Sequence, residues 1–200
     1  MSSLSMRLFV AIDIDPPIRE KLAGFLDGVR GFAPDVRWVT PESFHVTLKF
    51  IGEQPPEQLQ AIKSALGQVR GKAAAIAFRG YGFFPTAKSA RLFWIGMEAG
   101  PELADLAHSV DDALTPLGLE RETRAFSPHL TLARAGSGRP GRQRGDRPNP
   151  SFQRLQEKLA ALTQPEFGSM TARDFFLYQS KLSPAGAQYT KLERYSLDKA

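Results

Sequence analysis

The amino-acid sequence predicts an α+β fold. It is bilobal, with two lobes related by a pseudo-two-fold axis, each an antiparallel sheet flanked by helices, and an active-site groove between them. Three observations carry this. Strand-like and helix-like stretches mix in both halves, with hairpin-like neighbours. A segment near the start recurs without a gap 84 positions later. One short His-bearing motif closes both copies.

The elements follow from the spacing of apolar residues. Arg7–Asp13 opens the chain as a short strand rich in β-formers. After Pro16-Pro17, which suit a first helical turn, Ile18, Leu22, Phe25, Leu26 and Val29 form one stripe of a helix. Phe44–Ile51 reads as a strand, and Leu59, Ile62, Leu66 and Val69 as a second helix after Pro55-Pro56. Strands at Ala75–Phe83 and Arg91–Met97 precede a third helix on Leu103, Leu106, Val110, Leu114 and Leu117, which stops before Gly118. A strand at His129–Arg134 leads into a stretch rich in Gly, Pro and Arg, 135–150, expected as an exposed mobile loop facing solvent. Phe152, Leu155, Leu159 and Leu162 mark a fourth helix, ended by Pro165. Strands at Asp174–Leu182 and Gln188–Leu197 close the chain around a Ser-Pro-Ala-Gly turn.

The repeat pairs residues 7–50 with 91–134. Arg7-Leu8-Phe9 falls on Arg91-Leu92-Phe93, Leu22-Ala23 on Leu106-Ala107, and Asp27 on Asp111. Ser43, His45, Thr47 and Leu48 fall on Ser127, His129, Thr131 and Leu132. Chance would give about two or three identities in such a window, far fewer than this register holds. One domain, 1–200, with two equivalent halves around a shared cleft is the physical reading. The internal pairing suits a monomer.

Composition narrows the chemistry. The chain has 200 residues, 42% of them hydrophobic and 24% charged, which is globular rather than disordered. No apolar run reaches the roughly 20 residues a membrane helix needs. Asp13 and Asp15 break up the first apolar stretch, which argues against a secretory signal. With no cysteine there is no disulfide, thiolate metal site or cysteine nucleophile, as suits a cytoplasmic protein. The net charge of +5 favours a polyanionic or phosphorylated partner.

Two of only three histidines sit in the same tetrapeptide, His-x-Thr-Leu. On a strand His45 and Thr47 share one face, with Val46 and Leu48 on the other, and His129 and Thr131 do the same against Leu130 and Leu132. The apolar partners anchor each strand, leaving two imidazoles and two hydroxyls to line a cleft. That set suits phosphodiester cleavage without a metal or other cofactor: in-line displacement needs a base for the attacking oxygen and an acid for the leaving oxygen. Histidine titrates in the right range for both, and the threonines can donate to the non-bridging oxygens. The remaining His108 lies off its helix's apolar stripe, facing solvent, and leaves too few ligands for zinc. No nucleophile elbow, Walker loop or dinucleotide fingerprint is present.

The chain resembles the 2H phosphoesterase superfamily, and within it the RNA 2′,3′-cyclic phosphodiesterases once called 2′-5′ RNA ligases. The likeness runs through residues 7–13, 44–53, 91–96 and 126–134, and the tail at 176–182 and 189–192. It implies hydrolysis of a terminal 2′,3′-cyclic phosphate on RNA to a 2′-phosphate, with 2′-5′ RNA joining as the reverse activity. It further implies His45 as proton donor, His129 as proton acceptor, and Thr47, Thr131 and Arg134 as phosphate contacts. The approximate symmetry leaves open which histidine does which job. Arg134 stands out, because strict alternation from His129 places it on the wrong face and the strand must bend to bring it back. Two alternatives share the site: a phosphodiesterase for small cyclic phosphates or 2′-5′ oligoadenylate, and a non-catalytic RNA- or phosphate-binding module.

Overall fold

A computed structural model of the chain describes residues 5–136, 150–183 and 186–198. In order, the elements are β1 (Met6–Asp13), α1 (Pro16–Val29), β2 (Val36–Trp38), β3 (His45–Gln54), α2 (Leu59–Leu66), β4 (Ala74–Phe84) and β5 (Leu92–Ala99). There follow α3 (Pro101–Leu114), β6 (His129–Ala135), α4 (Gln153–Ala160), β7 (Glu166–Ala172), β8 (Asp174–Ser183) and β9 (Gly186–Ser196). One sheet has the order β3-β1-β8-β9 and the other β2-β6-β5-β4-β7. Neighbouring strands are antiparallel in both. This is the α+β, two-sheet, bilobal arrangement the sequence predicts. Most of the basic stretch 135–150, and Pro184-Ala185 of the last turn, lie outside the described residues.

Prolines open α1 and α3 within the first turn, where their missing N–H costs nothing. The stripes read from sequence are the buried faces: Ile18, Leu22, Leu26 and Val29 in α1, and Leu103, Leu106, Val110 and Leu114 in α3. Each of these helices packs on the sheet it does not follow. Phe25 of α1 lies 6.5 Å from Phe93 of β5 and meets Phe167 of β7 edge-on at 5.2 Å. Asp111 of α3 is ion-paired with Lys49 of β3. This exchange fuses the lobes, so that one continuous buried cluster extends from Leu8 to Leu177. Among the described residues no helix is long and apolar enough to cross a membrane.

Two strands lack a clear signal in the sequence. β2 is three residues long, too short to show alternation. β7 contains Gly168 at φ 97° and a register slip against β4, so its buried Phe167, Met170 and Ala172 lose the period of two.

The pairing also corrects the uniform 84-residue repeat. The strands that bear the histidines keep that offset, but their partners do not. Asp13 faces His45 and Gly96 faces His129, an offset of 83 in β1 and β5. Phe9 and Phe93, identical when the sequence is shifted by 84, therefore occupy different faces. Phe9 pairs with Phe50, whereas Phe93 pairs with Ala133 inside the core. A one-residue slip turns every side chain over.

Candidate active site

The two His-bearing strands share a local distortion. In the β1–β3 ladder Asp13 pairs with His45 and Ala11 with Thr47, and then Leu48 is bulged out so that Val10 meets Lys49 and Phe9 meets Phe50. In the β5–β6 ladder Gly96 pairs with His129 and Trp94 with Thr131, and then Leu132 is bulged out so that Phe93 meets Ala133 and Leu92 meets Arg134. Leu48 and Lys49 are consecutive buried residues, as are Leu132 and Ala133. A bulge of this kind resets alternation. It returns Arg134 to the face of His129 and Thr131, supplying the bend that the sequence demanded.

Both imidazoles are oriented from behind. His45 Nδ1 lies 2.7 Å from the Ser43 carbonyl, and His129 Nδ1 lies 2.9 Å from the Ser127 carbonyl. A carbonyl only accepts, so each Nδ1 carries a proton and each Nε2 remains for chemistry. The bonds are equivalent because Ser43 and Ser127 both stand two residues before their histidine.

The surroundings differ. His45 is half-buried among aromatic rings, with Phe9 at 4.9 Å, Tyr189 edge-on at 5.1 Å and Tyr178 at 6.3 Å. Burial, the largest influence, pulls its pKa down to about 4. The charges of Arg134 and His129 press the same way, while the Ser43 carbonyl and Asp13 oppose them. His129 is exposed, with Trp94 at 6.3 Å. Trp94 lies across Gly82 of β4, where a Cβ would fall 2.1 Å from the indole. That glycine makes room for the ring.

The strands that carry the two histidines, β3 and β6, are in contact, and the charges of His129 and Arg134 act on His45. Thr47 and Thr131 share their histidines' faces. Arg134 has its charge disfavoured first by desolvation, then by Arg37 and Arg7, and favoured by Tyr189. The charges acting on Arg134 thus include two further guanidinium groups, while Asp13 is the carboxylate that acts on His45. A cavity of about 380 Å³ is lined by His45 together with Asp13, Arg19, Ser43, Tyr178 and Lys191, among others. Asp13 accepts from Arg19 Nη2 at 2.6 Å and from the Lys191 ammonium. Among the described residues no cluster of His, Asp or Glu could hold a metal ion. His108 is exposed on α3.

The family model for LigT-like phosphoesterases matches the chain twice, over residues 12–94 and 95–189. The chain belongs to the LigT-like phosphoesterase family. A relative from Archaeoglobus fulgidus, an RNA 2′,3′-cyclic phosphodiesterase, is 39% identical over 94% of this chain and 98% of its own. The crystal structure of E. coli LigT complexed with 3′-AMP superposes with a TM-score of 0.74 at 27% identity, covering 96% of this chain and 98% of that one. The crystal structure of a Thermus thermophilus protein gives 0.75 at 28% identity, covering 97% and 99%. As a LigT-like phosphoesterase the protein is an enzyme, which removes the non-catalytic reading.

Sequence reasoning missed the aromatic wall of Phe9, Tyr178 and Tyr189, and also Asp13 and Trp94. Asp13 had one signal, a carboxylate at the end of the apolar run Leu8–Ile12. The aromatic residues come from β1, β8 and β9, and nothing in their local spacing announces that they meet.

Proposed function

We propose that this LigT-like phosphoesterase hydrolyses 2′,3′-cyclic phosphate at the end of RNA to a 2′-phosphomonoester, with His45 and His129 as the acid–base pair. The observation that carries the proposal is the duplicated orientation of the imidazoles, each Nδ1 held by a carbonyl so that Nε2 is available. His129 Nε2 takes a proton from water as its oxygen bonds to phosphorus. The bond from phosphorus to O3′ breaks in line, and His45 Nε2–H supplies the proton to O3′. Thr47 and Thr131 donate to the non-bridging oxygens, and Arg134 balances their charge. With a 5′-hydroxyl replacing water, the same steps join RNA through a 2′-5′ linkage.

His45 meets the substrate as a neutral ring, since its pKa lies at about 4 in the free protein. To act as donor it takes up a proton when the anionic phosphate binds. The phosphate charge favours imidazolium as Arg134 disfavours it. Binding and protonation are thus linked.

The test is hydrolysis of a cyclic-phosphate-ended oligonucleotide in EDTA by the wild type and by His45→Ala and His129→Ala, with the product's phosphate position determined. Activity that survives chelation, yields 2′-phosphate and falls about 10²–10⁴-fold in either variant supports the reading. Loss of activity in EDTA, or full activity in either variant, overturns it. Comparing kcat/KM on mononucleotide cyclic phosphates and 2′-5′ oligoadenylate separates RNA ends from the smaller alternatives.

A further inference from the structure

The two histidines make equivalent hydrogen bonds on unequal supports. His45 Nδ1 donates to the Ser43 carbonyl, and Ser43 ends a single 3₁₀ turn, Pro41–Ser43. A turn that short holds itself weakly, and no side chain caps its start. Its own backbone bonds are two, from the Ser43 N–H to the Thr40 carbonyl at 2.8 Å and from the Phe44 N–H to the Pro41 carbonyl at 3.2 Å. The bond that ties this turn to α1 and to the end of β1 comes from Arg19.

The Arg19 guanidinium bridges two elements. Its Nη1 donates to the Pro41 carbonyl, while Nη2 donates to the Asp13 carboxylate at 2.6 Å and to the Ile14 carbonyl at 3.0 Å. Asp13 is the residue paired with His45 across the β1–β3 ladder. Arg19 therefore closes a ring of contacts. The end of β1 is fixed to the turn, the turn's Ser43 carbonyl to the His45 imidazole, and the His45 backbone to the end of β1. The other half lacks the guanidinium link. A shift of 84 puts Leu103 in the place of Arg19 and Ala125 in that of Pro41, and Leu103 is buried in the core. Gly96 stands opposite His129, and Ser127 lies in a stretch with neither helix nor strand.

We propose that Arg19 is a positioning residue for His45: by joining the Asp13 carboxylate to the Pro41 carbonyl, it fixes the Ser43 carbonyl that aims the ring at the leaving oxygen. The inference rests on the cyclic phosphodiesterase reading and adds to it a residue that acts through His45. The unequal supports match unequal tasks. Water is free to move to His129, whereas O3′ is held by the ribose and must meet the His45 Nε2–H along one direction. Misplacing a reacting group by about 1 Å costs about 10² in rate. Arginine suits the post because its planar fork reaches a carboxylate and two carbonyls at once, which a compact ammonium does not reproduce.

The test measures Arg19→Ala and Arg19→Lys under conditions where urea denaturation shows each to be fully folded. Hydrolysis of the cyclic-phosphate-ended oligonucleotide is followed, and the imidazole tautomers are read by nitrogen NMR. In Arg19→Ala kcat falls by up to about 10² with KM nearly unchanged. Guanidinium ion at millimolar concentration restores part of it, entering the cavity of about 380 Å³ that Arg19 lines. His45 loses its single Nδ1–H tautomer while His129 keeps its own; a merely structural arginine would lower stability without moving one histidine alone. Arg19→Lys keeps the charge beside Asp13, shows the same tautomer change with a smaller loss of kcat, and carries the test by itself if Arg19→Ala does not fold. An unchanged kcat, or tautomers of His45 and His129 that loosen together, overturns the positioning role. A wild type that leaves the cyclic phosphate intact overturns the functional reading instead, and the tautomer spectra still decide the role of Arg19.

Discussion

Asp13 lies directly across the β1–β3 ladder from His45, and Gly96 takes the matching place opposite His129. Two histidines with equivalent hydrogen bonds therefore stand in different fields. His45 has a carboxylate opposite and rings around it, and His129 has open space and one indole. Asp13 opposes the burial that lowers the His45 pKa but does not overcome it.

The first prediction concerns that balance. Titrated by NMR in the free protein, His45 protonates at about pH 4. Bound phosphate raises the midpoint, and Asp13→Asn lowers it by removing the favourable charge. Proton uptake on phosphate binding appears in calorimetry as an enthalpy that depends on the buffer. A midpoint near 6.5 in the free protein contradicts the burial effect.

The same group makes stability depend on pH. Its folded pKa of about 4 lies below the ordinary value of 6.5, so in this window the unfolded chain binds more protons and folding weakens as pH falls. Between about pH 7 and pH 4.5 this site withdraws at most about 2.5 kcal/mol. In His45→Gln the urea-unfolding free energy declines less over the same interval. Equal declines in wild type and variant would show that His45 contributes nothing.

Thr47→Val and Thr131→Val each remove a hydroxyl while keeping the shape of a half-buried strand residue. Each is expected to lower kcat by about 10² with the unfolding midpoint nearly unchanged, as for loss of one donor to developing charge. Steady-state kinetics alongside urea denaturation separates this outcome from a folding defect.

Lys49 and Asp111 form a buried ion pair that joins the His45-bearing strand to α3. The Lys49 ammonium also donates to the Glu120 carbonyl at 2.7 Å, and Asp111 accepts from the Glu122 N–H at 3.2 Å. Asp111→Ala leaves a buried ammonium without its counter-charge and costs about 3–5 kcal/mol in chemical denaturation. The double variant Lys49→Met/Asp111→Leu recovers most of that loss. A double variant no more stable than Asp111→Ala would place the effect in packing rather than charge.

The register of hydrophobic residues and the duplicated His-x-Thr-Leu by themselves determined the class of fold, the major strands and helices, and which side chains share a face with each histidine. These features are local: a period of two or 3.6 and a recurring tetrapeptide report on one strand or helix at a time. Only the tertiary structure decided the rest. The bulge at Leu132 turned Arg134 onto the face of His129 and Thr131, and the 83-residue offset put Phe9 beside His45 and Phe93 in the main core. Residues from β8 and β9 completed the aromatic wall. Ladder pairing and desolvation belong to neighbours distant in sequence, so the histidines look identical along the chain and become chemically distinct only when it folds.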